Sequence, residues 1–287
     1  HDIPGDPFSV LHDWTVSHLE DFWEAAWVDA TDKKPAGAVL ADPSMPPGGR
    51  LDREVWFPGT RFNFARQLLG HGGNRIAIIE ENELGVCRTV TFQDLHLLTG
   101  RCQAALRRVG VGPGDRVAGY LSNTLESVVA MLATASLGAV WSATSPDFGF
   151  QSVSNRFRQI NPKVLLSVDG YLYNGKRHDC TEKTQRLVHS LPSLKRWVVI
   201  PVMGHGMPTD AVPWESFLDA EAVETTFVDT PFDHPVYILY TSGTTGLPKC
   251  IVHGAGGTAL KHHVEHKFHT DIGRNDTVFF FTTCGWM

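Results

Sequence analysis

Short apolar runs alternate with longer segments of helical periodicity along most of this chain, and this alternation constrains its fold more than any other feature. Five such runs lie at residues 75–80, 115–121, 163–168, 197–200 and 236–240. Strands that are buried on both faces are continuously apolar, and helices of ten or more residues between them join parallel neighbours. We therefore predict an α/β fold with mostly parallel sheets and helices on both faces.

The segments between these runs carry signals for the starts of helices. Thr91 and Asp94 form a capping-box pattern ahead of apolar residues at helical spacing that reach Val109. Asn123 and Glu126 give the same kind of start to an apolar helix. We also predict helices over residues 151–159 and 182–191, and a further β-rich run over residues 278–281.

The first 55 residues differ from the rest. Residues 21–29 place Phe22, Trp23, Ala26 and Trp27 on one helical face, and such an aromatic face needs a partner surface. Residues 34–50 hold four prolines and three glycines, which is typical of a surface connection. We predict a helical cap with a Pro/Gly-rich connection over 1–55, then a partial large domain over 56–287 with a subdomain junction near 203–235.

Composition excludes several classes of function. The chain carries 25 Lys and Arg against 31 Asp and Glu, a net charge of −6, which disfavours bulk nucleic-acid binding. Its five cysteines are far apart, as in a protein of a reducing compartment. The longest apolar stretch, Val128 to Trp141, is too short to span a bilayer. We expect a cytosolic protein with a trimmed N-terminus and no membrane or nucleic-acid partner, and the sequence leaves its oligomeric state open.

The segment Tyr240-Thr-Ser-Gly-Thr-Thr-Gly-Leu-Pro-Lys249 follows a predicted buried strand and combines hydroxyls, glycines and a lysine. Glycines let the backbone approach a ligand closely, so that successive amides point at an anion. Short hydroxyls add donors, and a lysine adds a compact positive charge. This composition favours a polyphosphate-binding loop, although its spacing differs from that of a Walker A loop. On composition alone, a polar turn after a strand is the alternative.

The same segment closely resembles the phosphate-loop signature of adenylate-forming enzymes, a superfamily that includes acyl-CoA synthetases, luciferases and peptide-synthetase adenylation domains. Other stretches resemble the branch of acyl-CoA synthetases that activates acetoacetate. These stretches are residues 56–65, 136–142, 145–149, 173–176, 248–257 and 283–287.

The resemblance implies an acid–thiol ligase that uses ATP, Mg²⁺, coenzyme A and acetoacetate as small-molecule substrates, with roles in fatty-acid and ketone-body metabolism. The carboxylate would attack the α-phosphorus of ATP to give an acyl-adenylate and pyrophosphate, and the thiol of coenzyme A would then displace AMP. By position, the residues that would bind the ATP phosphates are Thr241, Ser242, Gly243, Thr244, Thr245, Gly246 and Lys249.

Two further sets of residues take roles by resemblance. Gly285, Trp286 and Met287 fall where related enzymes line the acyl pocket. Gly175, Lys176 and Arg177 fall near the loop that meets the coenzyme A phosphates, and an ordinary solvated basic turn is the alternative there. A core aromatic is likewise the alternative for Trp286.

Several motifs of the resembled enzymes, including the adenine-binding motifs and the C-terminal domain with the catalytic lysine, fall beyond the position of Met287. The resemblance therefore assigns no catalytic residue to this chain, and we expect the chain by itself to show little turnover. A second hypothesis is a truncated, non-catalytic form that binds a nucleotide or a partner.

The histidine-rich segment 261–269 supports a third, weaker hypothesis. His262, Glu265 and His266 match the inverted zinc-peptidase pattern, which would make the protein a zinc hydrolase. Zinc also needs a third protein ligand, so a solvated helix surface explains the segment better, and we assign no metal site. We interpret His253 as a structural histidine and Cys284 as a small pocket-lining residue.

Overall fold

The computed structural model describes residues 6–41, 54–70, 72–83, 85–221, 224–241 and 246–286. Nine α-helices lie in these described ranges: α1 (Pro7–Ser17), α2 (Leu19–Thr31), α3 (Phe64–Leu69), α4 (Phe92–Arg108), α5 (Leu125–Ser136), α6 (Phe150–Ile160), α7 (Thr181–His189), α8 (Trp214–Phe217) and α9 (Ala255–His263), the last continued by a π-helix (Val264–His269). The strands of the same ranges are β1 (Arg61–Phe62), β2 (Ile76–Asn82), β3 (Gly85–Thr91), β4 (Arg116–Tyr120), β5 (Val140–Thr144), β6 (Val164–Val168), β7 (Gly170–Tyr173), β8 (Lys176–Asp179), β9 (Arg196–Ile200), β10 (Val212–Pro213), β11 (Thr230–Pro231), β12 (Pro235–Thr241) and β13 (Lys249–Gly254).

A seven-stranded sheet organises the larger part of the chain. Its strand order is β10-β9-β6-β4-β5-β12-β13, and the neighbouring pairs from β10 to β12 are all parallel. Strands β4, β5 and β6 are almost wholly buried, which explains their continuous apolar sequences. The predicted α/β class with a mostly parallel sheet is confirmed.

Most of the predicted elements are present within one or two residues of their expected bounds. The capping box that starts α4 is formed, because the Thr91 hydroxyl accepts from the Asp94 amide while the Asp94 carboxylate accepts from the Thr91 amide. Helix α5, by contrast, begins after Thr124, so the predicted cap at Asn123 is wrong. The Asn123 amide instead donates to the carbonyl of Thr282, 2.7 Å away.

The predicted strand over residues 278–281 is not formed. Phe279, Phe280 and Phe281 are between 79% and 89% exposed. A β-strand needs a neighbour for its backbone hydrogen bonds, and within the described ranges no strand pairs with this run. Its β-rich composition is therefore not sufficient to form a strand.

The chain divides into two compact units, each built from separated segments of the sequence. The first contains residues 1–62, 229–234 and 254–278, and the second contains 63–228, 235–253 and 279–287. The predicted division at residue 55 stays a prediction. Part of the Pro/Gly-rich connection, residues 42–50, lies outside the described residues.

An aromatic cluster forms the core of the first unit. Trp27 of α2 is 4% exposed and contacts Phe57, Phe62 and Phe232, with ring centroids 5.4, 5.5 and 5.9 Å away. The predicted aromatic face of residues 21–29 therefore has its partner surface. Asp29, on the same helix, accepts a hydrogen bond from Lys267 at 2.7 Å and lies 2.6 Å from His263.

An ion pair between the exposed Arg88 and the buried Glu126 joins β3 to α5 in the second unit. Arg88 donates to both carboxylate oxygens of Glu126, at 2.6 and 3.0 Å, and its Nε donates to Glu80 at 2.7 Å. Burial by itself raises the pKa of Glu126, but the bonds from Arg88 outweigh burial and hold that pKa below its usual value. Glu126 is therefore a buried carboxylate that depends on Arg88 for its charge.

Arg88→Met should leave Glu126 buried without a counter-charge. We expect the free energy of unfolding at pH 7 to fall by about 1–3 kcal/mol, less than for a fully buried pair because the Arg88 side chain is 42% exposed. The native pair stabilises the fold above the unfolded pKa of Glu126 and is lost as the pH falls through its lower folded value. In the variant, the folded pKa of Glu126 lies above its unfolded pKa because the buried carboxylate has lost its counter-charge. The difference in the free energy of unfolding between the native protein and the variant should therefore shrink as the pH falls from 7 to 5.

Urea denaturation over that pH range measures both effects. The double variant Arg88→Met/Glu126→Met is the control, because it removes both charges and should recover most of the stability. A single variant as stable as the native protein at pH 7 would show that the pair contributes nothing.

Candidate functional site

The carboxyl edge of the parallel sheet carries the candidate site. From β4 the chain passes through α5 to β5, whereas from the neighbouring strand β6 it passes to β9 on the opposite side. Ligands of open α/β sheets bind at such a change of direction, outside the carboxyl ends of the strands. After β6, the Asp169 carboxylate accepts from the amides of Val202 and Met203 at 2.8 and 2.9 Å, which fixes the loop that follows β9.

The predicted phosphate loop connects β12 to β13 at this edge. Thr241 ends β12 and is half-buried, Gly246 is exposed, and Lys249 begins β13 with its side chain exposed. Ser242, Gly243, Thr244 and Thr245 lie outside the described residues. The structure therefore fixes both ends of the loop and the exposure of Lys249, and the phosphate-binding role of the loop stays a prediction.

Tyr240, the last residue before this loop segment, is held from β5. The Ser142 hydroxyl lies 2.9 Å from the Tyr240 hydroxyl and 2.7 Å from the carbonyl of Ile238. Burial raises the pKa of Tyr240, so its phenol stays protonated at neutral pH. This network gives the entry to the loop a defined position.

Helix α6 contacts both ends of the same loop segment, which the sequence alone did not indicate. The Arg156 guanidinium lies over the ring of Tyr240, 5.7 Å from its centroid, and over that of Phe148 at 4.9 Å. Three residues further along, the Gln159 amide donates to the carbonyl of Pro248 at 3.0 Å. A basic residue on the buried face of an amphipathic helix is the only sequence signal that could have indicated Arg156.

The predicted acyl-pocket segment lies across the ends of two strands. The Cys284 thiol donates to the carbonyl of Leu121, just after β4, at 2.9 Å, and burial raises the pKa of this thiol to about 12. A Cβ on Gly285 would lie 2.4 Å from the carbonyl oxygen of Ala143 and 2.9 Å from Cα of Thr144. Only glycine allows this approach to β5. Trp286 is 71% exposed, and Met287 lies outside the described residues.

The predicted coenzyme A residues lie on the β7–β8 hairpin, which follows β6. Asn174 and Gly175 both have positive φ, +50° and +69°, as a two-residue type I′ turn requires. Their amides donate to the two carboxylate oxygens of Glu83, each at 2.6 Å. Lys176 and Arg177 follow the turn and are exposed. The Asn-Gly pair was a hairpin signal, whereas nothing in the sequence indicated Glu83.

Comparison with known proteins identifies the family. The family model described as "AMP-binding enzyme" matches residues 64–287, which is more than half of the chain. This chain belongs to the AMP-binding enzyme family. The resemblance inferred from the phosphate-loop signature is thereby confirmed at the level of the family.

Three relatives show where in the family the chain falls. It is 42% identical to the acetoacetyl-CoA synthetase of Xenopus tropicalis over 98% of the chain and 43% of that relative. It is 40% identical to a malonamoyl-CoA synthetase of Penicillium aethiopicum, of which it covers 41%. A solved acetoacetyl-CoA synthetase from Streptomyces lividans matches with a TM-score of 0.90 and 39% identity, over 99% of the chain and 44% of that structure. The chain thus spans less than half the length of these relatives.

The histidine-rich segment does not form a metal site in the described part of the chain. The rings of His262 and His266 are stacked with centroids 5.8 Å apart, and Glu265 pairs with Lys261. Within the described ranges, no group of three or more His, Cys, Asp or Glu side chains is arranged to hold a metal ion. The zinc hypothesis therefore gains no support. His253 has a buried Nδ1 without a described partner.

Among the described helices, none combines the length and the apolar character that crossing a bilayer requires.

The close contact of Gly285 with β5 leads to a prediction about Cys284. Burial raises the pKa of Cys284 to about 12, so its side chain is a thiol at pH 8 and its alkylation should be slow. Gly285→Ala should lift the segment off β5 and raise the alkylation rate of Cys284 about tenfold or more. Mass spectrometry of the Cys284 peptide after iodoacetamide treatment measures this rate.

Gly206→Ala is the matched control, because a Cβ at Gly206 would have nothing within 4 Å. Equal alkylation rates in the Gly285→Ala variant and the control would show that the close approach does not hold the segment in place.

Proposed function

We propose that this chain is the part of an AMP-forming acid–thiol ligase that binds the ATP phosphates, and that the whole enzyme joins acetoacetate to coenzyme A. The observation that carries the proposal is the Thr/Ser/Gly-rich loop between β12 and β13, at the carboxyl edge of a parallel sheet in a chain of the AMP-binding enzyme family. The similarity of the chain to acetoacetyl-CoA synthetases over nearly its whole length supports acetoacetate as the acid that is activated. Because the chain is also similar to a malonamoyl-CoA synthetase, the identity of this acid is the part of the proposal that most needs a test.

The reaction has two steps. A carboxylate oxygen of acetoacetate forms a bond to the α-phosphorus of ATP, and the bond to the bridging oxygen breaks, so that pyrophosphate leaves. The sulfur of coenzyme A then attacks the acyl carbon, and AMP leaves while the thiol proton passes to solvent or a base. ATP enters as its Mg²⁺ complex.

The phosphate loop would stabilise the charge that builds on the departing pyrophosphate. Its amides, the hydroxyls of Thr241, Ser242, Thr244 and Thr245, and the Lys249 ammonium would donate to the β- and γ-phosphates. Lys249 is exposed, so its ammonium is accessible to a ligand. Gly243 and Gly246 would let the backbone approach the phosphates closely.

The remaining predicted residues take their roles by similarity and position. Gly285, Trp286 and Met287 would line the acyl pocket at the ends of β4 and β5. Gly175, Lys176 and Arg177 on the β7–β8 hairpin would meet the coenzyme A phosphates. We further propose a cytosolic enzyme that uses a ketone body and supplies acetoacetyl units to lipid metabolism.

A ligation assay with the full-length protein tests the proposed function. Acetoacetate, ATP·Mg²⁺ and coenzyme A should yield AMP, pyrophosphate and the acyl thioester, with a higher kcat/KM for acetoacetate than for malonamate or acetate. A preference for another acid would overturn the acyl assignment. Absence of AMP formation with all acids would overturn the ligase assignment.

Lys249→Ala tests the phosphate loop directly. Loss of charged hydrogen bonds should weaken ATP·Mg²⁺ binding by about 1–3 kcal/mol, measured by calorimetric titration of the full-length protein. Lys261→Ala is the control, because Lys261 is exposed on α9 and pairs with Glu265. An unchanged dissociation constant in the Lys249 variant would remove this residue from the phosphate site.

A further inference from the structure

Helix α6 contacts residues on both sides of the predicted phosphate loop. Arg156 covers the ring of Tyr240, which precedes the loop, and Gln159 donates to the carbonyl of Pro248, near its end. Tyr240 and Pro248 are eight positions apart in the sequence but are held by residues one helical turn apart. The helix therefore fixes the two ends of the loop relative to each other.

Arg156 is unusual because its positive charge is buried without a negative partner. The residue is 8% exposed, and its guanidinium donates to the carbonyl of Ser152 at 2.8 Å and to the hydroxyl of the same residue. In the described part of the chain, Arg156 forms no ion pair with a carboxylate, and burial lowers the pKa of its guanidinium. Burial of a cation costs free energy unless it is paired, so an unpaired one indicates a compensating function.

The rings that surround Arg156 account for part of that compensation. Phe148 and Tyr240 both present their faces to the guanidinium, and each such cation–π contact is favourable. Neither ring neutralises the charge. The charge of Arg156 therefore remains uncompensated beside Tyr240, two residues before the first residue that follows β12.

Gln159 acts at the other end through geometry rather than charge. Its side-chain nitrogen donates one hydrogen bond to the carbonyl of Asn155, on its own helix, and another to that of Pro248. The first bond fixes the side chain on the helix, so the second fixes Pro248. Lys249, the proposed phosphate ligand, follows directly.

We propose that α6 positions the phosphate loop from both ends, with Arg156 supplying positive charge behind its entry and Gln159 holding its exit beside Lys249. The proposal rests on the proposed function, because it gives the loop a phosphate ligand. Arg156 and Gln159 are positioning residues, and they need not touch the nucleotide.

Four variants of the full-length protein test the two roles. Arg156→Met removes the charge but keeps an apolar chain of similar length, and Arg156→Lys keeps the charge. Gln159→Met removes the donor. Gln151→Met is the matched control, because Gln151 is exposed on the same helix and its amide donates to Asn155 of that helix at 2.7 Å. Each variant is titrated with ATP·Mg²⁺, and its KM values for ATP and coenzyme A are measured.

We expect Arg156→Met to weaken ATP·Mg²⁺ binding about tenfold, with the melting temperature unchanged or raised, because an unpaired buried charge is replaced by an apolar group. Arg156→Lys should restore most of the affinity. Gln159→Met should raise the KM for ATP about two- to tenfold and leave that for coenzyme A unchanged. Gln151→Met should change neither value.

Hydrogen exchange of the peptide that spans residues 236–251 separates this proposal from the proposed function. Without nucleotide, Gln159→Met should accelerate exchange of this peptide several-fold relative to Gln151→Met, because the exit of the loop is no longer held. Native protein that fails to bind ATP would overturn the proposed function, and the exchange measurement would still decide whether α6 holds the loop.

Two results would overturn the positioning roles. A role of the Arg156 charge in ATP binding would be excluded if Arg156→Met and the native protein had the same ATP affinity. It would also be excluded if Arg156→Lys bound ATP as weakly as Arg156→Met. If Gln159→Met and Gln151→Met had the same exchange rates and the same KM values, Gln159 would have no role in holding the end of the loop.

Discussion

The parallel pairing of β4 with β5 and β6 brings the carboxyl ends of the central strands to one edge of the sheet, and the rest of the second unit depends on this pairing. Every segment with a predicted role begins or packs at that edge. The phosphate loop follows β12, the β7–β8 hairpin follows β6, and Gly285 lies on the end of β5. Because the strands are buried and continuously apolar, the edge is a rigid platform to which variable loops can be attached.

Two buried charges in this unit illustrate different uses of burial. Both carboxylate oxygens of Glu126 accept hydrogen bonds from Arg88, so its charge is balanced within the fold. Because this pairing lowers the pKa of Glu126, it makes the free energy of unfolding depend on pH. Arg156 has aromatic rings and neutral acceptors around it, so its charge is left unbalanced beside the phosphate loop. The surroundings of a charge thus separate a structural ion pair, as at Glu126, from the contribution to ligand binding that we propose for Arg156.

The sequence predicted those parts of the fold that depend on local interactions. The capping box of Thr91 and Asp94 involves residues three apart, and the buried strands β4 and β6 are visible as apolar runs. The run 278–281 was predicted wrongly because a strand also needs a neighbour, which composition does not reveal. Residues 242–245 were assigned from the composition of the loop together with the resemblance, and Met287 was assigned from the resemblance alone.

The contacts that the sequence could not predict join residues far apart along the chain. Gln159 and Pro248 are separated by 89 positions, and Cys284 and Leu121 by 163. Such pairs are set by the order of strands in the sheet, which no local pattern encodes. Glu83, which caps the turn at Asn174 and Gly175, belongs to the same class.

We propose that the loop between β12 and β13 binds the triphosphate of ATP. A crystal structure of the full-length protein with a non-hydrolysable ATP analogue and Mg²⁺ tests it most directly. We expect the β- and γ-phosphate oxygens to lie within hydrogen-bond distance of the amides of residues 242–246 and of the Lys249 ammonium. A loop closed against the protein interior, with its amides already paired and the nucleotide bound elsewhere, would contradict it.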